Sequence, residues 1–293
     1  MEKIGIVTEE GADLPKDIIE KYQIAVAPIK MDWPDIENLP GQNTFQKMRE
    51  AEKRGIKSFG KTSQPSPKDF LEVFKKQLEK FDKVICITLT SKLSGTYNSA
   101  IQARNFLNQE EQKKIFIVDS LSCSAGKSLL ILRAIDLIKE DKEIEEIAKE
   151  LEKFGANKIH FFAIIENPKW AEASGRISSF LANWIRKMAK IGVRPLIRLK
   201  KGVVVSSGII TGAKDIPAAL FRRFVAETKK LIKEGKKIRV VITHGDDLKG
   251  AQRLKEMIEK GVENVEVAFL NLIDNVLGVL TGPNAVLCAW CEK

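Results

Sequence analysis

The sequence predicts an α/β protein of two domains, and three observations carry that reading. Short β-branched apolar runs alternate with helical segments through the first half of the chain, which implies a mostly parallel sheet with helices on both faces. Near residues 155–158 the pattern changes, and Arg194–Leu199 with Val203–Ile210 flank Lys201-Gly202 as a hairpin. The length, 293 residues, exceeds the usual span of one domain, about 100–200 residues.

The elements follow in order. Residues 1–8 read as a first strand, and Asp13 as the N-cap of a helix over Leu14–Tyr22 with Pro15 in its first turn. Ile24–Ile29 reads as a second strand, 32–44 as irregular and Phe45–Arg54 as helical. Thr62-Ser63-Gln64-Pro65-Ser66-Pro67 is a rigid, hydroxyl-rich loop. Ser66 then caps a helix, Pro67 starts it, and Asp69 completes a box-like pattern. The helix Phe70–Lys80 precedes the apolar strand Lys83–Leu89; Ile115–Val118 is a further strand, and Ala125–Ile138 and 144–154 are helices. Beyond the boundary, Lys158–Ile165 is a strand and Ser178–Ile191 an amphipathic helix, with Phe180, Leu181, Trp184, Ile185 and Met188 along one stripe. Ile216–Lys233 and Leu248–Lys260 are helices; Ile238–Thr243, Val265–Leu270 and Val286–Trp290 are strands.

The stretch from Thr90 to Ala100 holds the chemistry. It is a strand-to-helix turn crowded with hydroxyls. Ser94 is the expected N-cap, and the amides of Gly95 and Thr96 would lie open at the positive end of the helix. Such a turn suits a carboxylate or phosphate. No acid, base or metal ligand sits inside it, so it can hold an anion without an evident means of reacting with it. In a parallel sheet, ligands sit beyond the carboxyl ends of the strands, the edge expected to carry the Thr8, Thr62, Ser94 and Ser120 loops.

Other motifs read more plainly. Ala125-Gly126-Lys127-Ser128 resembles the end of a phosphate-binding loop, but Leu121 stands where that loop needs its first Gly. Cys288-Ala289-Trp290-Cys291 lacks the second ligand pair a zinc site requires, and reads as two strand thiols. His244-Gly245-Asp246-Asp247 reads as a helix start with an Asp cap, and His160 as structural. The net charge of +10 raises nucleic acid or a membrane surface; yet Lys and Glu are interspersed and no basic stripe is interleaved with aromatics, so neither is expected. There is no run of about 18 apolar residues, so no membrane span is expected. Four scattered Cys and an N-terminus that enters a strand at once read as a cytoplasmic protein with reduced thiols.

Five stretches resemble the DegV family, whose members bind a long-chain fatty acid. Ile6-Val7-Thr8 with Ala12-Asp13-Leu14-Pro15 is similar to the family's opening Thr-Asp-Ser-x-Ala-Asp-Leu-Pro. Thr62-Ser63-Gln64-Pro65-Ser66 and Ser91-Lys92-Leu93-Ser94-Gly95-Thr96-Tyr97 match its two most specific signatures. Val118-Asp119-Ser120 and Gly175-Arg176-Ile177-Ser178 match two more. The resemblance implies an α/β/α parallel-sheet domain over 1–157 and a two-layer α/β domain with a mixed sheet over 158–293. It implies that Thr62 and Ser94, with Gly95, Thr96 and Arg176 nearby, hold the lipid carboxylate, and that the acyl tail of a ligand such as palmitate is buried between the domains. Phe180, Trp184, Ile185 and Met188 are candidate tail contacts, with ordinary core as the plainer reading. No cofactor, metal or catalytic residue is implied; the chain is expected to be a monomer that transports lipid. In some relatives the protein presents the carboxylate to a separate fatty-acid kinase.

Three departures bear on this. Glu9-Glu10-Gly11 replaces a small polar stretch, and two acids beside a carboxylate site repel it if they point inward. Leu280 stands where the family usually has His, and Ile209-Ile210-Thr211-Gly212 lacks a common Arg; both weaken the kinase partnership. The alternative reading is a phosphotransferase or hydrolase holding a phosphate at Ser94-Gly95-Thr96. It would need a base or metal ligand among Glu9, Glu10, Asp119 and Arg176.

Overall fold

The structure, a computed structural model, describes residues 2–211 and 215–293. In chain order the elements are β1 (Ile4–Glu9), α1 (Lys16–Lys21), β2 (Ala25–Ala27), β3 (Lys30–Asp32), α2 (Pro34–Glu37), α3 (Thr44–Lys53), β4 (Lys61–Ser63), α4 (Pro67–Leu78), β5 (Lys83–Thr88), α5 (Thr96–Asn105), α6 (Gln109–Gln112), β6 (Ile115–Asp119), α7 (Ser124–Lys139) and α8 (Ile144–Asn157). There follow β7 (His160–Ile164), α9 (Lys169–Ala173), α10 (Ser179–Lys190), β8 (Arg194–Lys200), β9 (Val203–Ile210), α11 (Ile216–Lys233), β10 (Ile238–His244), α12 (Leu248–Gly261), β11 (Val265–Leu272), α13 (Asn275–Thr281) and β12 (Val286–Glu292).

The chain divides into two compact units that are discontinuous in sequence. The first takes residues 1–30, 62–159 and 200–203; the second takes 31–61, 160–199 and 204–293. One of the breaks between them falls after residue 159, and residues 31–61 form an excursion out of the first unit. The excursion belongs to the second unit because of its aromatic residues. Trp33 packs on Trp170 with ring centroids 5.7 Å apart, and Phe45 fills the space that side chains at Gly245 and Gly278 would occupy.

The first unit is a four-stranded parallel sheet in the order β2-β1-β5-β6. Its central strands β1 and β5 are buried from their second residue onward because both faces are covered. Val7, Val84 and Cys86 meet Phe70 and Phe74 of α4 and Ala100 and Ala103 of α5, whereas α7 and α8 pack together and against β5 and β6. Ser66 and Asp69 form the expected capping box on α4: the Ser66 N–H donates to Asp69 at 2.7 Å and Asp69 N–H donates back at 3.2 Å. The expected cap at the start of α1 is absent. Pro15 holds the N-cap position without a side-chain bond, while Asp13, at φ 52°, accepts a hydrogen bond from Ser124 Oγ. Long-range pairing has taken the residue that local pattern assigned to the helix.

The second unit is a six-stranded mixed sheet in the order β11-β10-β12-β7-β8-β9. β10 runs parallel to β11 and antiparallel to β12, and β12 is antiparallel to β7. One face packs on α11 and α12 through Leu220, Phe224, Leu254 and Ile258. Trp290 lies 4.4 Å from the Phe162 ring and 5.5 Å from that of Phe224, with His160 stacked over it. Cys288 and Cys291 are thus core thiols, and burial pushes Cys288 up to about 12. The β8–β9 turn has Lys201 and Gly202 at φ 49° and 81°, the two positive angles of a type I′ hairpin. Asp247 caps α12 by accepting from Gly250 N–H at 3.0 Å.

Short elements escaped the sequence reading. β3, β4, α2 and α6 span three or four residues each, too few for a period to register. α13 is an apolar run buried on several faces, which carries no amphipathic stripe. Among the described residues no helix is long and apolar enough to cross a membrane.

Candidate functional site

The carboxyl ends of β1, β5 and β6 bring three loops to one edge of the parallel sheet. Burial sorts their hydroxyls. Thr8 is wholly buried and donates to Ile87 O at 2.8 Å. Ser120 is wholly buried and donates to Ser122 O at 2.9 Å. Thr90, also buried, donates to Gly202 O at 3.2 Å and accepts from Lys92 N–H. These three hold backbone. Ser94, after β5, is half-buried, and so is Thr62, which lies in β4 and outside these three loops.

The turn after β5 is held by three clamps. Leu89 N–H donates to Glu9 Oε1 at 2.9 Å. Thr90 N–H donates to Ser122 O at 2.9 Å. Ser91 N–H reaches both Asp119 carboxylate oxygens, at 3.3 and 3.2 Å, and Leu121 N–H donates to the same carboxylate at 2.9 Å. Beyond them Ser94 Oγ lies 2.8 Å from Thr96 Oγ1. The N-cap position belongs to Gly95, not to Ser94. Ser94 Oγ instead accepts from Thr96 N–H at 3.3 Å, so that amide, expected to be open, is in use. Ser94 keeps the remaining capacity of its hydroxyl.

The two acids Glu9 and Glu10 are both engaged within the fold, Glu9 by a cation and Glu10 by a backbone amide. Glu9 is wholly buried and ion-paired to Lys127, itself wholly buried; Lys127 Nζ also donates to Glu9 O at 3.0 Å. Burial raises the Glu9 carboxyl above its usual range, with Lys127 and the Leu89 amide pulling the other way. Glu10 accepts from Ile29 N–H at 2.7 Å. The phosphate-loop resemblance at Ala125–Ser128 ends here too, because Lys127 serves Glu9 and Ser128 donates to Ala12 O. Sequence reasoning treated Glu9 and Lys127 as separate oddities; their partnership, 118 residues apart, has no local signature.

In the second unit, Arg176 is half-buried and donates to Ser174 O at 2.8 Å. The stripe expected on α10 is broken. Ile185 is core, at 1% exposure, and Trp184 and Met188 are half-buried, but Phe180 is 84% exposed. The side chain buried beside Ile185 is Ala182, which a search for large apolar residues passes over. Leu280 lies half-buried in α13. Of the segment lacking the family Arg, Gly212 lies outside the described residues. Among the described residues, no three His, Cys, Asp or Glu side chains group as a metal site.

A parallel-sheet unit whose strand ends carry hydroxyl turns, joined to a mixed-sheet unit entered three times by the chain, defines a class of two-unit α/β proteins. A family model described as "Uncharacterised protein, DegV family" matches residues 3–293. The chain belongs to the DegV family. It is 31% identical over 294 residues to the "Fatty acid-binding protein" of Thermotoga maritima, covering 97% of this chain and 96% of that one. It is 30% identical to a DegV domain-containing protein of Clostridium perfringens, with all of both chains covered. A solved structure titled "Fatty Acid Binding of a DegV family Protein from Thermus thermophilus" superposes with a TM-score of 0.82 at 25% identity, covering 99% of this chain and 100% of that one.

Proposed function

We propose that this chain binds a long-chain fatty acid, such as palmitate, and holds it without transforming it. The observation that carries the reading is the turn at Ser94-Gly95-Thr96. The chain just before it is fixed by three clamps, Ser94 and Gly95 are half-buried, and the acids around it are bonded to Lys127 and to backbone N–H groups. Thr62 and Ser94 hold the carboxylate, with the Gly95–Thr96 start of α5 supplying the positive end of a helix, and Arg176 is the cation assigned to the head group. Ile185, Trp184 and Met188 are the assigned tail contacts; Phe180, on the surface, is the weakest of the four. The names of the Thermotoga and Thermus relatives support the ligand class.

The tail supplies affinity and the turn supplies direction. Taking about fifteen methylenes out of water at about 0.8 kcal/mol each yields roughly 12 kcal/mol before entropy losses; hydrogen bonds at the head add about 1–3 kcal/mol. A phosphotransferase reading would need Glu9, Glu10 or Asp119 to act as a base while each accepts an internal hydrogen bond. We place the protein in the cytoplasm as a monomeric lipid carrier; Leu280 and the missing Arg of 209–212 stand against delivery to a fatty-acid kinase. Mass spectrometry of denatured protein should find a co-purifying fatty acid, and added palmitate should bind. Absence of both would end this reading.

A further inference from the structure

Gly95 has no conformational need to be glycine. Its φ of −78° and ψ of 5° are open to any residue. What a side chain there would displace is Gln64. A Cβ at position 95 would stand 2.1 Å from Gln64 Oε1 and 2.7 Å from its Cδ and Nε2. The carboxamide therefore lies directly on the backbone where α5 begins. It is held there by the buried Ser99, whose Oγ accepts from Gln64 Nε2 at 2.9 Å. A primary amide has two N–H donors, and that bond uses one. Gln64 follows Thr62 by two residues and rests on the residue after Ser94, so it joins the two loops assigned to the head group.

We propose that Gln64 is the specificity-determining contact of the site: its second amide N–H donates to one oxygen of the ligand's carboxyl group while Ser94 serves the other. The proposal rests on the fatty-acid reading above. A neutral carboxamide suits this place, because it binds a carboxylate without a further charge to be desolvated. It also separates acids from alcohols. A carboxyl group has two oxygens for two donors on opposite loops, whereas an alcohol has one and leaves a donor unmet. Glycine at 95 is then the space that lets the carboxamide reach the turn.

The experiment compares palmitate with 1-hexadecanol by calorimetric titration of the full chain, as wild type, Q64A, G95A, Q64A/G95A and Q64E. Q64A should weaken palmitate about tenfold and leave hexadecanol unchanged, erasing the preference for the acid. G95A should reproduce Q64A, since the new methyl evicts an exposed, flexible carboxamide, and the double variant should be no weaker than either single one. Q64E should lose more than Q64A through like-charge repulsion. An unchanged acid-to-alcohol ratio in Q64A, or additive losses in the double variant, overturns the proposal. If G95A fails to fold, the Q64A ratio alone decides. Wild-type protein that binds neither ligand overturns the fatty-acid reading itself, and this contact with it.

Discussion

Two turns of the first unit look alike in sequence and behave differently in the fold. Ser91–Thr96 leads from β5 into α5, and Ser120–Ser124 leads from β6 into α7. Both are hydroxyl-rich strand-to-helix turns on one sheet edge, and the helix after the second carries Lys127 in its first turn. Yet Ser120, Ser122, Ser124, Lys127 and Ser128 are all buried at 3% exposure or less, and Lys127 and Ser128 bind the β1 loop. The first turn is clamped from behind and keeps Ser94 half-exposed. The difference teaches that residue type at a strand end nominates an anion site, and that burial decides whether its groups are spent on the fold or left for a ligand.

The comparison breaks most severely at Lys127. K127A leaves the Glu9 carboxylate buried without its partner, and should cost about 3–5 kcal/mol of stability. Replacing both partners, as E9Q/K127M, should recover most of that loss; urea unfolding measures both. Thiol labelling gives a second readout. Cys86 is wholly buried, and burial, reinforced by Glu9, pushes its thiol well above the usual range. It should resist a thiol reagent in the native wild type and become reactive in K127A at a lower urea concentration.

At the half-exposed turn the effects should fall on the ligand instead. S94A and T62A should each weaken palmitate about tenfold, about 1.4 kcal/mol, while stability changes by no more than about 0.5 kcal/mol. Calorimetric titration and thermal unfolding separate the two. A Ser94 variant that unfolds the unit while leaving binding intact would reverse the roles assigned to the two turns.

The smallest effect concerns pH. Hydrogen bonds from the Ser66 hydroxyl and N–H hold the Asp69 carboxyl below its usual range. Its folded value is lower than its unfolded one, so this support for the Thr62–Ser66 loop is present at neutral pH. It is lost as pH falls from about 4 through the folded value. Amide exchange at Ser66–Phe70 should quicken in that window before exchange along β1 and β6 does, and D69N should show the faster exchange already at neutral pH.

Much of this was legible beforehand, for physical reasons particular to each element. The strand Lys83–Thr88 and the helix Ile216–Lys233 repeat their patterns long enough to be read. The Ser66–Asp69 box and the Lys201-Gly202 turn are local chemistry, complete within four residues. The cap at Asp13, the N-cap role of Ser94 and the stripe through Phe180 were misread because each depended on what lay opposite. Asp13 was claimed by Ser124, Thr96 took the Ser94 oxygen, and α10 turned Ala182 inward in place of Phe180.

By itself the sequence determined the α/β class, the placement of hydroxyl-rich turns at the sheet edge and the family to which the chain belongs, because each is written in short-range patterns and near-complete motifs. Only the tertiary structure decided that the chain enters its second unit three times, that Glu9 is paired with Lys127, and that the Gln64 carboxamide occupies the space beside Gly95. Those three facts rest on contacts between residues 31 to 118 positions apart or on aromatic packing around Trp33 and Trp170. No period, cap or turn rule reaches that far along a chain.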